Sequence, residues 1–288
     1  MRLRSGTAPS STPISPRIHS HDPSHCKTVP GKGAMKIRFA VASDMGRIRK
    51  NNEDAFLAEP ELGIFAVADG MGGHASGEIA SRMAIDSLRE SIARAGKDEE
   101  ITLSDDITAT ISSPVNLLVN GIRLANQRIY KASKENQAYK GMGTTLVAVY
   151  LSTPTPIVAH VGDSRLYHLR GQTIKQATED HSFVWEQYKQ GLMAREALSS
   201  SPHKNIVTRA LGIEPTIDVD VQELEVQQGD FLFLCSDGLS DLVQDEEILG
   251  LVSKTRHPNH ACENLIHLAN LRGGKDNITV LLIQIDSP

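Results

Sequence analysis

Residues 64–74 read Ile64-Phe65-Ala66-Val67-Ala68-Asp69-Gly70-Met71-Gly72-Gly73-His74, and the reading of the whole chain turns on them. An uncharged apolar run, too short for an ordinary helix and closed by a glycine turn, describes a buried strand. A carboxylate, Asp69, stands where that strand emerges. The glycine beside it permits a tight turn and a close backbone approach to a ligand. From His74 to Ala95 the period changes, with Ile79, Ala80, Met83, Ala84, Leu88 and Ile92 recurring at helical spacing. Strand, carboxylate, glycine loop and helix follow in direct succession.

The same grammar extends outward. Upstream, Ile37, Phe39 and Val41 alternate as in a half-buried strand. Downstream, a polar stretch at 97–110 reads as a loop, and Ser113 with Pro114 opens a second helix as N-cap and first helical residue. Its apolar stripe is Val115, Leu118, Ile122, Ala125 and Ile129. After Gly141 the chain turns β-rich, with short runs at 144–151, 156–161, 165–169 and 173–176. Residues 182–210 carry weak helical signals around Val184, Tyr188 and Leu192, broken at 199–202, and read as a mobile insertion. Strand-like runs return at 217–224 and 231–235, and a helix at 259–271 and a strand at 278–285 close the chain. Helices, then antiparallel strands, then helix and strand make a layered α+β domain.

The length of 288 residues, 40% hydrophobic and 23% charged, suits a globular chain with a single large sandwich or barrel. Residues 1–34 are rich in Ser, Thr and Pro and show no hydrophobic period, so they are expected to form a disordered tail ahead of one folded unit at 35–288. That tail carries a net charge of +4, which leaves the body at −9 out of a total of −5. An acidic body argues against nucleic acid as the partner. No apolar run is long enough for a membrane span, and no secretory h-region precedes the fold. Three scattered cysteines, Cys26, Cys235 and Cys262, exclude a disulfide scaffold and point to the reducing cytoplasm.

Asp69 is one of four aspartates at the ends of apolar runs. Asp163 follows 158–162, Asp237 follows 231–236, and Asp276 precedes 278–281, with Gly70, Gly162 and Gly238 close by. Carboxylates gathered at one sheet edge repel one another unless a cation joins them. An all-oxygen donor set selects a hard ion, Mg²⁺ or Mn²⁺. A second constellation, 43–54, sets Arg47 and Arg49 among Asp44, Glu53 and Asp54. An arginine fork there can hold phosphate oxygens, and Glu53 and Asp54 can hold metal-bound waters. A plain charge-balanced hairpin loop reads the same residues equally well. The glycine pair before His74 runs into a helix N-terminus, a weak phosphate-cradling signal without the Lys-Ser/Thr ending of a P-loop.

Together these residues resemble the metal-dependent Ser/Thr protein phosphatases of the 2C type, in particular the compact bacterial members. The resemblance rests on SDMGRIRKNNEDAF (43–56), FAVADGMGGHASGE (65–78), GMGTTLVAV (141–149), AHVGDSRLYHLR (159–170), TEDHS (178–182), NIVTRALG (205–212), LCSDGLSD (234–241) and GGKDNITVLL (273–282), collinear and spanning the folded body. It implies a four-layer αββα sandwich, two antiparallel β-sheets flanked by helices, with a metal site at one end between the sheets. It also implies that Asp69 bridges two metals, that the Gly70 carbonyl is a ligand of one, and that Asp237 and Asp276 bind the other. Glu53 and Asp54 would act through waters, and Asp163 with Asp237 would make a third, weaker site. Arg49 matches the phosphate-binding arginine, and 183–204 matches the variable flap beside the active site. The chain departs from many eukaryotic members at Met71, where they carry a histidine general acid; His74 is the bacterial-type replacement.

The implied reaction is hydrolysis of phosphoserine and phosphothreonine by metal-activated water, with two Mn²⁺ or Mg²⁺ ions stabilising attacking and leaving oxygens and Arg49 orienting the phosphoryl group. The partners expected are phosphoproteins and a cognate Ser/Thr kinase, with neither nucleic acid nor membrane, and the chain is expected to be a monomer. A catalytically silent binding relative would have lost one of Asp69, Asp237, Asp276 and Arg49, all present here. A phosphatase of small phosphate esters is the other reading, separated by comparing substrates.

Overall fold

The computed structural model describes residues 17–19, 27–29, 35–72, 76–95, 113–151, 155–198, 200–255 and 257–288. Its strands form two antiparallel sheets. In the first, β1 (Arg17–His19) and β2 (Lys27–Val29) both pair with β3 (Met35–Asp44). The second, in spatial order, runs β11 (Asp220–Glu223), β8 (Ile157–Val161), β7 (Leu146–Tyr150), β5 (Ile64–Met71) and β4 (Asp54–Glu59), with the two-residue β6 (Gly143–Thr144) on the end of β5. Beyond β3 the first sheet continues with β13 (Ile278–Ser287), β12 (Phe231–Cys235), β9 (Arg165–Arg170) and β10 (Thr173–Gln176). Helices α1 (Ser76–Ala95) and α2 (Pro114–Glu135) cover the second sheet. Helices α5 (Asp245–Lys254) and α6 (Pro258–Leu271) cover the first.

This layering explains why the strands lack polar alternation. In β5, Ile64, Ala66 and Ala68 pack under α1 and α2, while Phe65 and Val67 point into the layer between the sheets. In β12, Phe233 and Cys235 face α5 and α6, and Leu232 and Leu234 face inward. A strand covered on both faces is apolar at every position, and the alternation survives only as which core a residue joins. In the central layer the Phe39 and Phe65 rings meet edge to face, with centroids 5.2 Å apart.

The expected four-layer αββα sandwich is present, and the second helix starts as its sequence dictates. Pro114 occupies the first turn and the Ser113 hydroxyl accepts the Asn116 N–H. Among the elements that escaped the periodicity are β4 and α5. β4 is six residues long and pairs Asp54–Glu59 with β5. α5 buries only Ile248 and Val252, and its start is marked instead by a Gln244–Glu247 capping box and three acids in the first turn.

The 1–34 tail, expected to be disordered, contributes β1 and β2 to the outer edge of β3. The free edge of β3 offers unpaired backbone groups to any strand nearby, and Val29 is buried in the central core. The rest of the tail, the 97–110 loop and His74 lie outside the described residues. Among those described, no helix is long and apolar enough to cross a membrane.

Candidate metal centre

Antiparallel pairing brings the aspartates to one end of the sandwich. β4 begins where β5 ends, so Asp54 and Asp69 are partners across the ladder. β8 runs in the direction of β5 and hands the chain to Gly162 and Asp163 at that same end. On the facing sheet, β12 ends at Cys235 and leads through Ser236 to Asp237, the first residue of α4 (Asp237–Ser240), and β13 begins just after Asp276. Asp54, Asp69, Asp163, Asp237 and Asp276 thus converge from both sheets.

The crowding is visible in the acidities of Asp54, Asp69, Asp163 and Asp237. Burial pushes the Asp69 carboxyl well above the ordinary carboxylate range, and Asp54, Asp237, Asp163 and Asp276 push it further. Asp54 is driven up to about 7 by burial, against hydrogen bonds from Thr279 and Ser236. Asp163 rises to about 8, by burial first and then by Asp237 and Asp180. Asp237 rises to about 6, by burial and then Asp241 and Asp276. Glu53 is also raised, chiefly by burial. Asp54 Oδ1 and Asp237 Oδ1 are buried with no hydrogen-bond partner. Unpartnered buried carboxylate oxygens are costly. Orphaned acceptors, mutual repulsion and an all-oxygen donor set together fit hard divalent cations, and among the described residues no nitrogen or sulfur donor intrudes.

A layer of polar side chains holds the carboxylates from behind. The Ser236 hydroxyl donates to Asp54 Oδ2 at 2.8 Å and accepts the Thr279 N–H at 3.0 Å. The Ser43 and Thr279 hydroxyls lie 2.8 Å apart, and Asn52 donates to Ser43 at 2.8 Å. Thr145 accepts the Asp69 N–H at 3.0 Å, and Thr144 donates to the Asp69 carbonyl at 2.8 Å. Gly70 is pinned through its N–H to the Glu53 carbonyl at 3.2 Å. At Gly162 φ is +105°, and a Cβ there would stand 2.6 Å from the Thr145 side chain, so only glycine turns the chain into Asp163.

The loop from β3 to β4 carries Arg49 and is bolted to the start of β13. Asn277 accepts the Glu53 N–H at 2.8 Å and donates to the Met45 and Asn51 carbonyls at 3.0 and 2.9 Å. Arg49 stands on the rim, its side chain 52% exposed, and donates to Asp276 Oδ2 at 2.6 Å. That hydrogen bond holds its pKa above the usual guanidinium value. Arg47 points its backbone N–H at Gly274 and has no such link to the cluster.

Beside Asp163 and Asp237 opens a cavity of about 340 Å³. The 183–204 segment roofs it with α3 (Phe183–Lys189) and a 3₁₀ turn at Arg195–Ala197, contributing Trp185, Arg195 and Lys204. The segment is folded: Ser182 caps α3, and Phe183 N–H bonds the Ile206 carbonyl at 2.8 Å. Sequence reading found the carboxylates but missed Ser236, Thr279, Asn277 and Thr145. A hydroxyl or amide immediately next to a strand-end aspartate, as in Ser236-Asp237 and Asp276-Asn277, is the signal that finds half of them.

Comparison with known proteins gives one answer at three levels. The family model described as protein phosphatase 2C matches residues 47–271. The chain is 38% identical over 247 residues to the serine/threonine phosphatase stp of Listeria monocytogenes, covering 85% of this chain and 94% of that protein. It is 34% identical to protein phosphatase PhpP of Streptococcus pneumoniae, covering 87% of this chain and 98% of PhpP. Among solved structures, the Mycobacterium tuberculosis serine/threonine phosphatase PstP/Ppp superposes with a TM-score of 0.75 at 34% identity, covering 87% of this chain and 99% of that one. The catalytic domain of serine/threonine protein phosphatase PstP in complex with two manganese ions gives 0.71 at 34% identity, covering 86% and 98%.

Proposed function

The chain belongs to the protein phosphatase 2C family and is a metal-dependent serine/threonine protein phosphatase, and from that premise we propose which of its residues do the work. Asp69, Asp237 and Asp276, with the Gly70 carbonyl, hold two Mn²⁺ or Mg²⁺ ions. Asp163, with Asp237, holds a third more weakly, and Glu53 and Asp54 contribute through waters. Bound there, such ions supply an activated water and neutralise charge on the phosphoryl oxygens.

Arg49 grips the phosphate of a phosphoserine or phosphothreonine from the rim, where its guanidinium is half-exposed and already aligned on the cluster. Asn277 fixes the loop that carries Arg49, so the arginine meets the substrate in a set orientation. His74 is the candidate proton donor to the departing seryl oxygen. The cavity under 183–204 takes the polypeptide around the phosphorylated residue, and Arg195 and Lys204 face it there. The enzyme reverses the action of a cognate Ser/Thr kinase and works as a monomer in the cytoplasm, a compartment in keeping with the free, buried Cys235 and Cys262.

The convergence of five aspartates beside an exposed arginine carries this assignment. Its test is turnover of a phosphopeptide with Mn²⁺, with Mg²⁺ and with chelator. Asp237→Asn is expected to lose about 10³-fold or more in kcat, and undiminished turnover refutes the assignment. Faster turnover of nucleotide or sugar phosphates than of phosphopeptide would move the substrate class to small esters.

A further inference from the structure

Outside the carboxylate cluster, His160, His181 and Asp220 bring three donor atoms within 4.8 Å of one another, a spacing that suits a transition metal. Their hydrogen bonds contradict that use. His160 Nε2 lies 2.8 Å from the Glu179 carbonyl oxygen, which can only accept, so the ring proton is on Nε2. His181 Nδ1 lies 3.0 Å from the Gly162 backbone N–H, which can only donate, so Nδ1 keeps the lone pair. His181 Nε2 lies 3.2 Å from the donor-only Arg209 Nη1 and 3.4 Å from Asp220 Oδ2, so both nitrogens of that ring are already engaged. That ring offers no free lone pair to a metal. Arg209 adds a fixed positive charge, 2.6 Å from Asp220 Oδ1 and 3.2 Å from His181 Nε2. A cation is in place already, and it is the guanidinium.

The cluster holds something else. His181 and Gly162 bond reciprocally, Gly162 N–H to Nδ1 and His181 N–H to the Gly162 carbonyl, both at 3.0 Å. Gly162 is the residue before Asp163, at the positive φ that aims the carboxylate into the centre. His181 is itself immobilised from four sides. Its ring stacks on His160 with centroids 4.7 Å apart, and Asp220 faces Nε2. The carbonyl accepts the Thr208 N–H at 2.8 Å. The preceding residue, Asp180, is held by Arg165 at 2.7 Å and by Gln176 at 2.8 Å.

We propose that His181 is a positioning residue for Asp163: by accepting the Gly162 N–H it fixes the turn that delivers the Asp163 carboxylate to the weaker metal site. This rests on Asp163 being a metal ligand. Without the imidazole acceptor the buried Gly162 N–H is left without a partner, the peptide rotates to find one, and Asp163 moves with it. The Asp69 side of the centre is held by Thr144 at its carbonyl as well as by Thr145, whose hydroxyl also meets Ser164, and it keeps its place.

Mn²⁺ titration of the full chain, followed calorimetrically and by the electron paramagnetic signal of the free ion, tests this. Asp163→Ala is expected to lose the weakest Mn²⁺ equivalent; wild-type binding by that variant removes Asp163 as a ligand and overturns the proposal with it. Where Asp163→Ala does lose that ion, His181→Leu is expected to weaken the same site by about tenfold and leave the tighter sites unchanged. Wild-type Mn²⁺ binding by His181→Leu then overturns the positioning role alone. His181→Asn, which presents an oxygen where Nδ1 stood, is expected to recover most of the affinity, and failure to recover it counts against the proposal. In an Asp163→Ala background His181→Leu should change Mn²⁺ binding no further; an added loss refutes the route through Asp163. If the leucine variant does not fold, amide exchange in the wild-type chain decides: slow exchange of the Gly162 N–H supports the bond, and rapid exchange overturns it.

Discussion

His181 shows how much a single ring can depend on its neighbours. Burial first, then His160 and Arg209, push its pKa down to about 4 against the opposing pull of Asp220. An unfolded chain protonates such a ring near 6.5, so between about 6.5 and 4 the unfolded state binds the extra proton. Through this group the fold therefore loses stability as pH falls across that window. His181→Asn removes the contribution, and its urea midpoint should fall less than that of wild type between pH 6.5 and pH 4.5. The difference is expected to be on the order of 1–2 kcal/mol, and parallel profiles for the two proteins refute it. His181 stands in the TEDHS motif, but its part in the site was invisible in the sequence because its partner is a backbone amide 19 residues away. Asp69 and Asp237 were visible because each closes an apolar run, and that signal is local.

At the level of elements, the loop between β3 and β4 works as one rigid part. Gly46 sits at φ +79°, and a Cβ there would collide with the Asp276 backbone carbonyl. Gly46→Ala is expected to cost about 1–3 kcal/mol of stability in chemical denaturation. It should also raise KM for a phosphopeptide more than it lowers kcat, because Arg49 is displaced. A KM unchanged in a destabilised variant would separate the loop from substrate binding. Strands buried on both faces were legible as unbroken apolar runs, and α2 was legible from its stripe and its Ser113-Pro114 start. β4 was not, since in Asp54–Glu59 only Leu57 is fully buried. Nor was α5, which sets just two fully buried residues against the layer below. The convergence of the aspartates is a property of strand pairing, and only the family resemblance anticipated it.

For the whole molecule, gathering five carboxylates at the seam between two sheets opposes folding until cations bind. Mn²⁺ is therefore expected to raise the melting temperature, by a stabilisation of about 2.7 kcal/mol at a free concentration 100 times its dissociation constant, and chelator should reverse it. A melting temperature indifferent to Mn²⁺ and chelator at neutral pH would contradict the cluster as a cation site. The seam has another consequence. Asp54, Asp69 and Asp163 hang from one sheet and Asp237 and Asp276 from the other, so the span between them is inherited from the slab of side chains around Phe39 and Phe65. That slab acts as a calibrated shim. Drift in its hydrophobic volume, far from any reacting atom, would retune the chemistry as surely as replacing an aspartate, and this ties the evolution of the interior to that of the active site.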